Sequence, residues 1–212
     1  MRELKINVSI AGVRLRLFYN LKLSTMENLF TYLKSIHPLS AALQQHLSTV
    51  LKIKELSRKE YLLKRGRINK EICFIEKGLL RCFYLKKDKE VCSWFMKEGD
   101  VIISVESFFR QQVSNESIQA LENCTLYYLT YSELQYIFHH YPEFNFVGRV
   151  LTEQYYTLSE QRLYSIRMQR ASERYDYLLN NFPEIIQRVP SKYIASYLSI
   201  TEETLSRIRS HH

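Results

Sequence analysis

The 212-residue chain has no CxxC pair, no continuous apolar leader with a small-residue cleavage site, and no histidine between residues 53 and 133. Without that spacing or that leader, its four cysteines, Cys73, Cys82, Cys92 and Cys124, read as reduced, largely buried thiols of a cytoplasmic protein. A metal or iron–sulfur site is disfavoured on the same grounds. The histidine-free stretch cannot supply the His-and-carboxylate set that would hold a metal inside a small double-sheet roll. No nucleophile elbow, phosphate loop or paired-carboxylate spacing appears elsewhere, so the chain does not read as an enzyme. His139 and His140 are adjacent, and neighbours on a helix point about 100° apart, which makes them a surface pair rather than ligands. A membrane is not an expected partner.

What is present is a hydrophobic content of 46%, ample for a core, and a net charge of +8. The charge is unevenly placed. Residues 1–25 hold Arg2, Lys5, Arg14, Arg16 and Lys22 against Glu3 and so contribute +4, while the segment from Gln161 onward contributes +3 from eight basic and five acidic residues. Bulk basicity is therefore only mild support for nucleic-acid binding.

Within residues 1–25, Leu4, Ile6, Val8 and Ile10 alternate with polar residues as a strand would, and Val13, Leu15, Leu17 and Tyr19 continue the period. The preferred reading is a start assigned too early, with initiation at Met26; an extra strand or a disordered arm are the alternatives. Residues 26–140 read as lead helices followed by a β-rich domain. Leu29, Phe30, Leu33 and Ile36, then Leu39, Leu43, Leu47 and Leu51, recur at helical spacing with a break near Pro38. Beyond Lys54 the period changes to two, in short apolar runs at Tyr61–Leu63, Ile72–Ile75, Leu79–Leu85, Val91–Met96, Val101–Ile103, Ile118–Leu121 and Leu126–Leu129, punctuated by Gly66, Gly78 and Gly99. Roughly eight short strands predict a small barrel or double-sheet roll.

Residues 141–167 predict one long helix opened by Pro142, in which Val147, Leu151, Gln154, Leu158 and Gln161 step by four and three as a paired-helix seam does. The alternative is that this helix packs on its own roll. Residues 168–212 form a small helical domain. A helix near Ser172–Asn181 buries Tyr175, Leu178, Leu179 and Phe182 and stops at Phe182-Pro183. Two short segments then meet at a tight turn, with Ile194, Ala195 and Leu198 as the buried face of the first and Ser191 as a candidate cap. Thr201 can cap the second, and Leu205 and Ile208 face the first. That leaves Glu202, Glu203, Thr204, Ser206 and Arg207 on or near the outward side, with Lys192 on the preceding helix. Arginine can pair bidentately with guanine, glutamate can accept from cytosine N4, and Glu203 and Arg207 are four apart on one face. A plain helical hairpin is the alternative. Only Ser210, His211 and His212 follow Arg209, which implies either a bare reading helix or a C-terminus that has been cut or replaced.

The order of these parts resembles the Crp/Fnr family of bacterial transcription regulators. The carriers of the resemblance are Phe74-Ile75-Glu76-Lys77-Gly78-Leu79-Leu80-Arg81 and Gly99-Asp100-Val101-Ile102, then Ala171 with Glu173-Arg174-Tyr175, then Ile194-Ala195 through Thr201-Glu202-Glu203-Thr204-Leu205-Ser206-Arg207-Ile208. The resemblance implies an α+β chain: an N-terminal double-stranded β-roll of the cyclic-nucleotide-binding type with flanking helices, a long dimerisation helix and a C-terminal helix-turn-helix. It implies a homodimer that binds double-stranded DNA at an inverted repeat, with Glu203 and Arg207 reading base edges and RNA polymerase as a candidate partner. The position of Glu202 is commonly basic in the family, which puts the familiar target sequence in doubt. The family's cyclic AMP site needs a Glu and, about ten residues on, an Arg followed by Ser or Thr. Here Glu106 fits the first role and Ser107, Ser114, Asn115 and Ser117 line up with the remainder, but Ser114–Ser117 contains no Arg, Arg110 is too near Glu106 to take over without a rearranged loop, and Glu116 would repel a phosphate. Cyclic AMP is therefore not expected, leaving the pocket to an unknown small effector or to none. The competing reading is a roll that acts as an effector or protein-interaction module without sequence-specific DNA binding.

Overall fold

A computed structural model describes residues 26–210; the extension over 1–25 and the terminal His211 and His212 lie outside the described residues. The lead region forms two helices, α1 (Glu27–Ile36) and α2 (Ala41–Val50). The first ends where His37 turns extended ahead of Pro38, since the residue before a proline is driven out of the helical region. The second starts on Ser40, whose hydroxyl accepts the Leu43 N–H at 3.1 Å.

Eight strands follow: β1 (Lys52–Leu56), β2 (Tyr61–Leu63), β3 (Glu71–Lys77), β4 (Leu80–Lys86), β5 (Lys89–Met96), β6 (Val101–Ile102), β7 (Glu116–Ala120) and β8 (Cys124–Thr130). They build two antiparallel sheets, ordered β1-β8-β3-β6 and β2-β7-β4-β5. The period of two decides which side each residue serves. Ile75 pairs with Leu126 and faces the roll interior with Leu80, Ile102 and Ile118; Phe74 pairs with Tyr127 and faces outward onto the lead helices. Cys73, Cys82, Cys92 and Cys124 are buried free thiols, and burial pushes Cys73 up to about 12. Between β6 and β7 lies α3 (Val105–Arg110), a helix absent from the sequence reading because six residues are too few for a period to show.

Gly78 turns β3 into β4 at φ +103°, and a Cβ there would stand 2.7 Å from the Asn123 carbonyl oxygen and 2.6 Å from the Cys124 sulfur. Gly78→Ala is expected to cost about 2–3 kcal/mol, from a strained φ combined with backbone that cannot yield. Urea denaturation should show a lower midpoint with an unchanged slope.

After the roll, α4 (Tyr131–His140) opens on a capping box between Thr130 and Glu133, and α5 (Pro142–Met168) runs for 27 residues from its N-terminal proline. His139 and His140 are exposed at the end of α4, and the His140 ring stacks on Tyr136. The face of α5 differs from the expected seam. Val147 is wholly buried and Leu151 partly buried against the lead-helix cluster of the same chain, and Leu158 is partly covered, while Gln154 and Gln161 stay exposed. Tyr155 Oη also accepts the Val101 N–H at 2.7 Å, fixing that side of α5 to the roll. Val147 and Leu151 therefore belong to the protomer core, and the large apolar residues that α5 leaves exposed are Phe146, Tyr156, Leu163, Tyr164, Ile166 and Met168. Spacing shows which residues share a face; it does not show which body covers that face.

The last domain comprises α6 (Ala171–Asn181), α7 (Pro183–Arg188), α8 (Ser191–Tyr197) and α9 (Glu202–Arg209). Pro183, read as a stop, also occupies the first turn of α7, where its missing N–H costs nothing. Tyr175, Leu178, Ile185, Ile194, Ala195, Leu198 and Leu205 form one buried cluster that includes Leu79 from the roll.

Candidate nucleic-acid interface and roll cavity

The turn between α8 and α9 is made by Ser199 at φ +57°, followed by Thr201, whose hydroxyl accepts the Thr204 N–H at 3.2 Å. Ala195, 2% exposed, lets the two helices meet closely, and Leu205 closes the contact. Ser191 is not the cap expected of it: Pro190 takes that place, and the Ser191 hydroxyl accepts from Arg209 at 2.8 Å.

With Leu205 turned inward, Glu202, Glu203, Ser206 and Arg207 are exposed together, joined by Thr201 and by Lys192 from α8; Thr204 is half-buried. Arg207 donates to the Thr204 hydroxyl at 3.3 Å. The Thr201 hydroxyl, the amides opening α9 and the Arg207 charge hold the Glu203 carboxyl below its ordinary range, so this acceptor stays ionised at neutral pH. One exposed helix face thus carries an acceptor and a guanidinium a turn apart, the pair of functions needed to read base edges in a major groove.

The α8–α9 hairpin, the head of the last domain, is bolted to the roll. Ser196 of α8 accepts the Cys92 N–H of β5 at 3.0 Å and donates to the Glu90 carbonyl at 3.1 Å. Arg81, 1% exposed, is sandwiched with its guanidinium carbon 4.1 Å from the Phe83 ring and 3.8 Å from Tyr193 of α8, and it pairs with Glu90 at 2.6 Å. Arg162 of α5 lies 3.6 Å from the Tyr197 ring and donates to the Tyr197 carbonyl, and Arg174 donates to the Leu198 carbonyl at 2.8 Å. Both cations thus meet the negative C-terminal end of α8. Arg188 of α7 forms paired hydrogen bonds to Glu98 at 2.8 Å, and to Glu122 at 3.0 and 2.6 Å.

That last cluster has a pH signature. The Arg188 guanidinium, helped by the backbone N–H groups of Glu98 and Gly78, holds the Glu98 carboxyl at about 2, against an ordinary 4.5. A depressed carboxylate contributes stability in full above its unfolded value, and loses it as pH falls from about 4.5 toward 2. Because Glu98 is 40% exposed, solvent screening limits the contribution to about 1 kcal/mol. The stability gap between the wild type and Arg188→Gln, from urea denaturation, should be full at pH 6 and reduced by more than half at pH 3.

The roll cavity measures about 750 Å³ and reaches from the interior strands to α5 and the lead helices. Of the residues read as an effector site, Glu106, Ser107, Ser114 and Asn115 line it and Ser117 does not. Glu106 points to solvent, 70% exposed and 3.8 Å from Arg110, so that arginine is a neighbour on the same helix rather than a phosphate clamp. The Ser107 hydroxyl accepts from the Asn69 N–H and donates to the Gln112 carbonyl; Ser117 accepts from the Arg65 N–H. Those two hydroxyls hold the chain rather than await a ligand. Ser114 is buried and bonded to Ser104 at 2.9 Å. Tyr84, Trp94, Ser104 and Glu116 also line the cavity, and the sequence named only Glu116, as an obstacle to phosphate. The alternating pattern of β4, β5 and β7 was the available signal for the others.

The profile of the cyclic nucleotide-binding domain family matches residues 53–141. No curated protein matches the sequence significantly. Among solved structures, a protein from Eubacterium rectale assigned to the Crp/Fnr family of transcriptional regulators is similar over 82% of this chain and 83% of its own, at 16% identity and a TM-score of 0.64. The c-di-GMP responsive global regulator CLP of Xanthomonas campestris is similar over 81% and 91%, at 13% identity and 0.65. A CooA mutant of Carboxydothermus hydrogenoformans is similar over 81% and 78%, at 19% identity and 0.60. At these identities the likeness is one of fold.

Proposed function

We propose that this chain, which has a cyclic nucleotide-binding-type roll and the overall fold of the Crp/Fnr transcription regulators, is itself a DNA-binding transcription regulator acting as a homodimer on an inverted repeat. The observation that carries the reading is the exposed face of α9, where Glu203 and Arg207 stand outward on a helix held at its base by Thr201 and Leu205. Lys192 on α8 supplies a flanking charge suited to a phosphate. Pairing through the exposed residues Tyr156, Leu163 and Ile166 of α5 would set two reading helices one DNA turn apart, about 34 Å. The roll cavity takes a small effector other than cyclic AMP, and that effector acts by favouring one packing of the helices over another. RNA polymerase is the partner through which a bound dimer would act.

Among the described residues no helix is long and apolar enough to cross a membrane. Selection of bound sequences from random double-stranded oligonucleotides tests the reading: the enriched motif should be an inverted repeat, and binding to it should weaken steeply between 50 and 200 mM salt, by about 10³-fold or more if six phosphates are neutralised. Failure to enrich any motif would favour the interaction module. Sedimentation should show a dimer at micromolar concentration, and Tyr156→Lys with Leu163→Lys should yield a monomer that no longer retains the repeat.

A further inference from the structure

The cavity's one deeply buried acid identifies the kind of molecule it accepts. Glu116 opens β7 and is 8% exposed. Its neighbours are the hydroxyls of Ser104 and Tyr84, and what acts on its carboxyl is burial and those two hydroxyls, with no cation among them. Burial also raises the Tyr84 phenol to about 12, so Tyr84 stays a neutral donor. The apolar lining of the cavity includes Cys82, Trp94, Met96, Phe109 and Val113, of which Phe109 and Val113 are exposed.

A phosphodiester fails here twice. Arg110, the arginine on the cavity lining, is 70% exposed and lies 3.8 Å from Glu106 on the same helix, and the diester's own charge would lie against an acid already desolvated. The reverse charge solves the same problem, because a cation brought against Glu116 supplies the missing counterion in a site that water reaches poorly. The apolar lining then favours a molecule that is otherwise hydrocarbon or aromatic.

We propose that the roll cavity binds an apolar organic amine, whose ammonium group pairs with Glu116 while Tyr84 and Ser104 complete the carboxylate's hydrogen bonds. This rests on the effector reading above and gives its ligand a chemical class.

Trp94 is the chain's single tryptophan and lines the cavity, so its emission reports occupancy without a label. The full-length protein is titrated with three matched probes, 2-phenylethylamine, 2-phenylethanol and 3-phenylpropanoate, and with cyclic AMP. The amine should change Trp94 emission saturably and bind tightest, with the alcohol weaker and neither anion competing. Glu116→Gln, nearly isosteric, should bind the amine about 10- to 100-fold more weakly, the worth of a charge-assisted hydrogen bond, and should hold amine and alcohol alike. Circular dichroism shows whether that variant is folded; if it is not, the order of the probes on the wild type decides. The proposal is overturned if 3-phenylpropanoate or cyclic AMP binds as well as the amine, if the folded variant keeps the amine preference, or if no probe alters Trp94 emission at millimolar concentration. DNA selection on the same preparation scores the regulator reading separately, so either result can fail alone.

Discussion

Arg207→Ala should remove most of the preference for the selected inverted repeat over random DNA while leaving the residual, salt-sensitive binding largely in place. A well-formed bidentate contact from arginine to a guanine is worth about 1–3 kcal/mol of discrimination. A homodimer makes it twice, so the operator should lose about 2–6 kcal/mol, roughly 30- to 20,000-fold in relative affinity. The side chain is exposed and its loss opens no cavity, so the melting temperature should stay close to that of the wild type. Lys192→Ala is the matched control. A phosphate contact carries no sequence information, so that variant should weaken all DNA to a similar extent and, lost from both protomers, flatten the dependence on salt by about two units of slope. Competition gel shifts with the repeat and with scrambled DNA read both quantities. If the two variants behave alike, α9 does not read bases through Arg207.

The second large effect lies at Arg81. This side chain is fully enclosed between a ring of the roll and a ring of α8, donates to Glu90 and Gln119, and has no solvent to replace those partners. Arg81→Ala should destabilise the chain by about 3–4 kcal/mol, combining the volume lost between Phe83 and Tyr193 with the loss of a hydrogen-bonded ion pair. Arg81→Met separates the two contributions. It fills much of the same space without charge, and a buried ion pair is often replaceable by apolar packing, so most of the stability should return. Chemical denaturation of both variants measures this. Equal losses would place the effect in the charge rather than in the stacking.

Much of the architecture was legible because it rests on local rules. The lead helices, the strand at Tyr61–Leu63, the start of α5 at Pro142 and the cap at Thr201 each follow from a period or a capping residue that a few neighbouring letters contain. The errors share a cause too. The α5 seam was a true helical face, but Val147 and Leu151 are covered by this chain's own lead helices, and no spacing rule specifies the covering body. The stop before Pro183 holds, since α6 ends at Asn181, but that proline also opens α7, a helix too short for its period to show. The charged bolts between roll and head, Arg188 with Glu98 and Glu122, and Arg81 against Tyr193, join residues far apart in the chain, and their individual letters look like ordinary surface charge. Within the candidate site, the outward face of α9 followed from the same local rules. The cavity acid and its hydroxyls required knowing which strand lies beside which.

Strand β5 is a single lever with a load at each side. Trp94 and Met96 border the cavity, while Cys92 on the same strand holds Ser196 through its backbone, and Phe95 lies 5.2 Å from the Tyr197 ring. Trp94 and Cys92 are two residues apart on β5, and the bulge at Ser93 falls between them, so the cavity wall and the anchor of α8 are joined by a short piece of chain with a built-in bend.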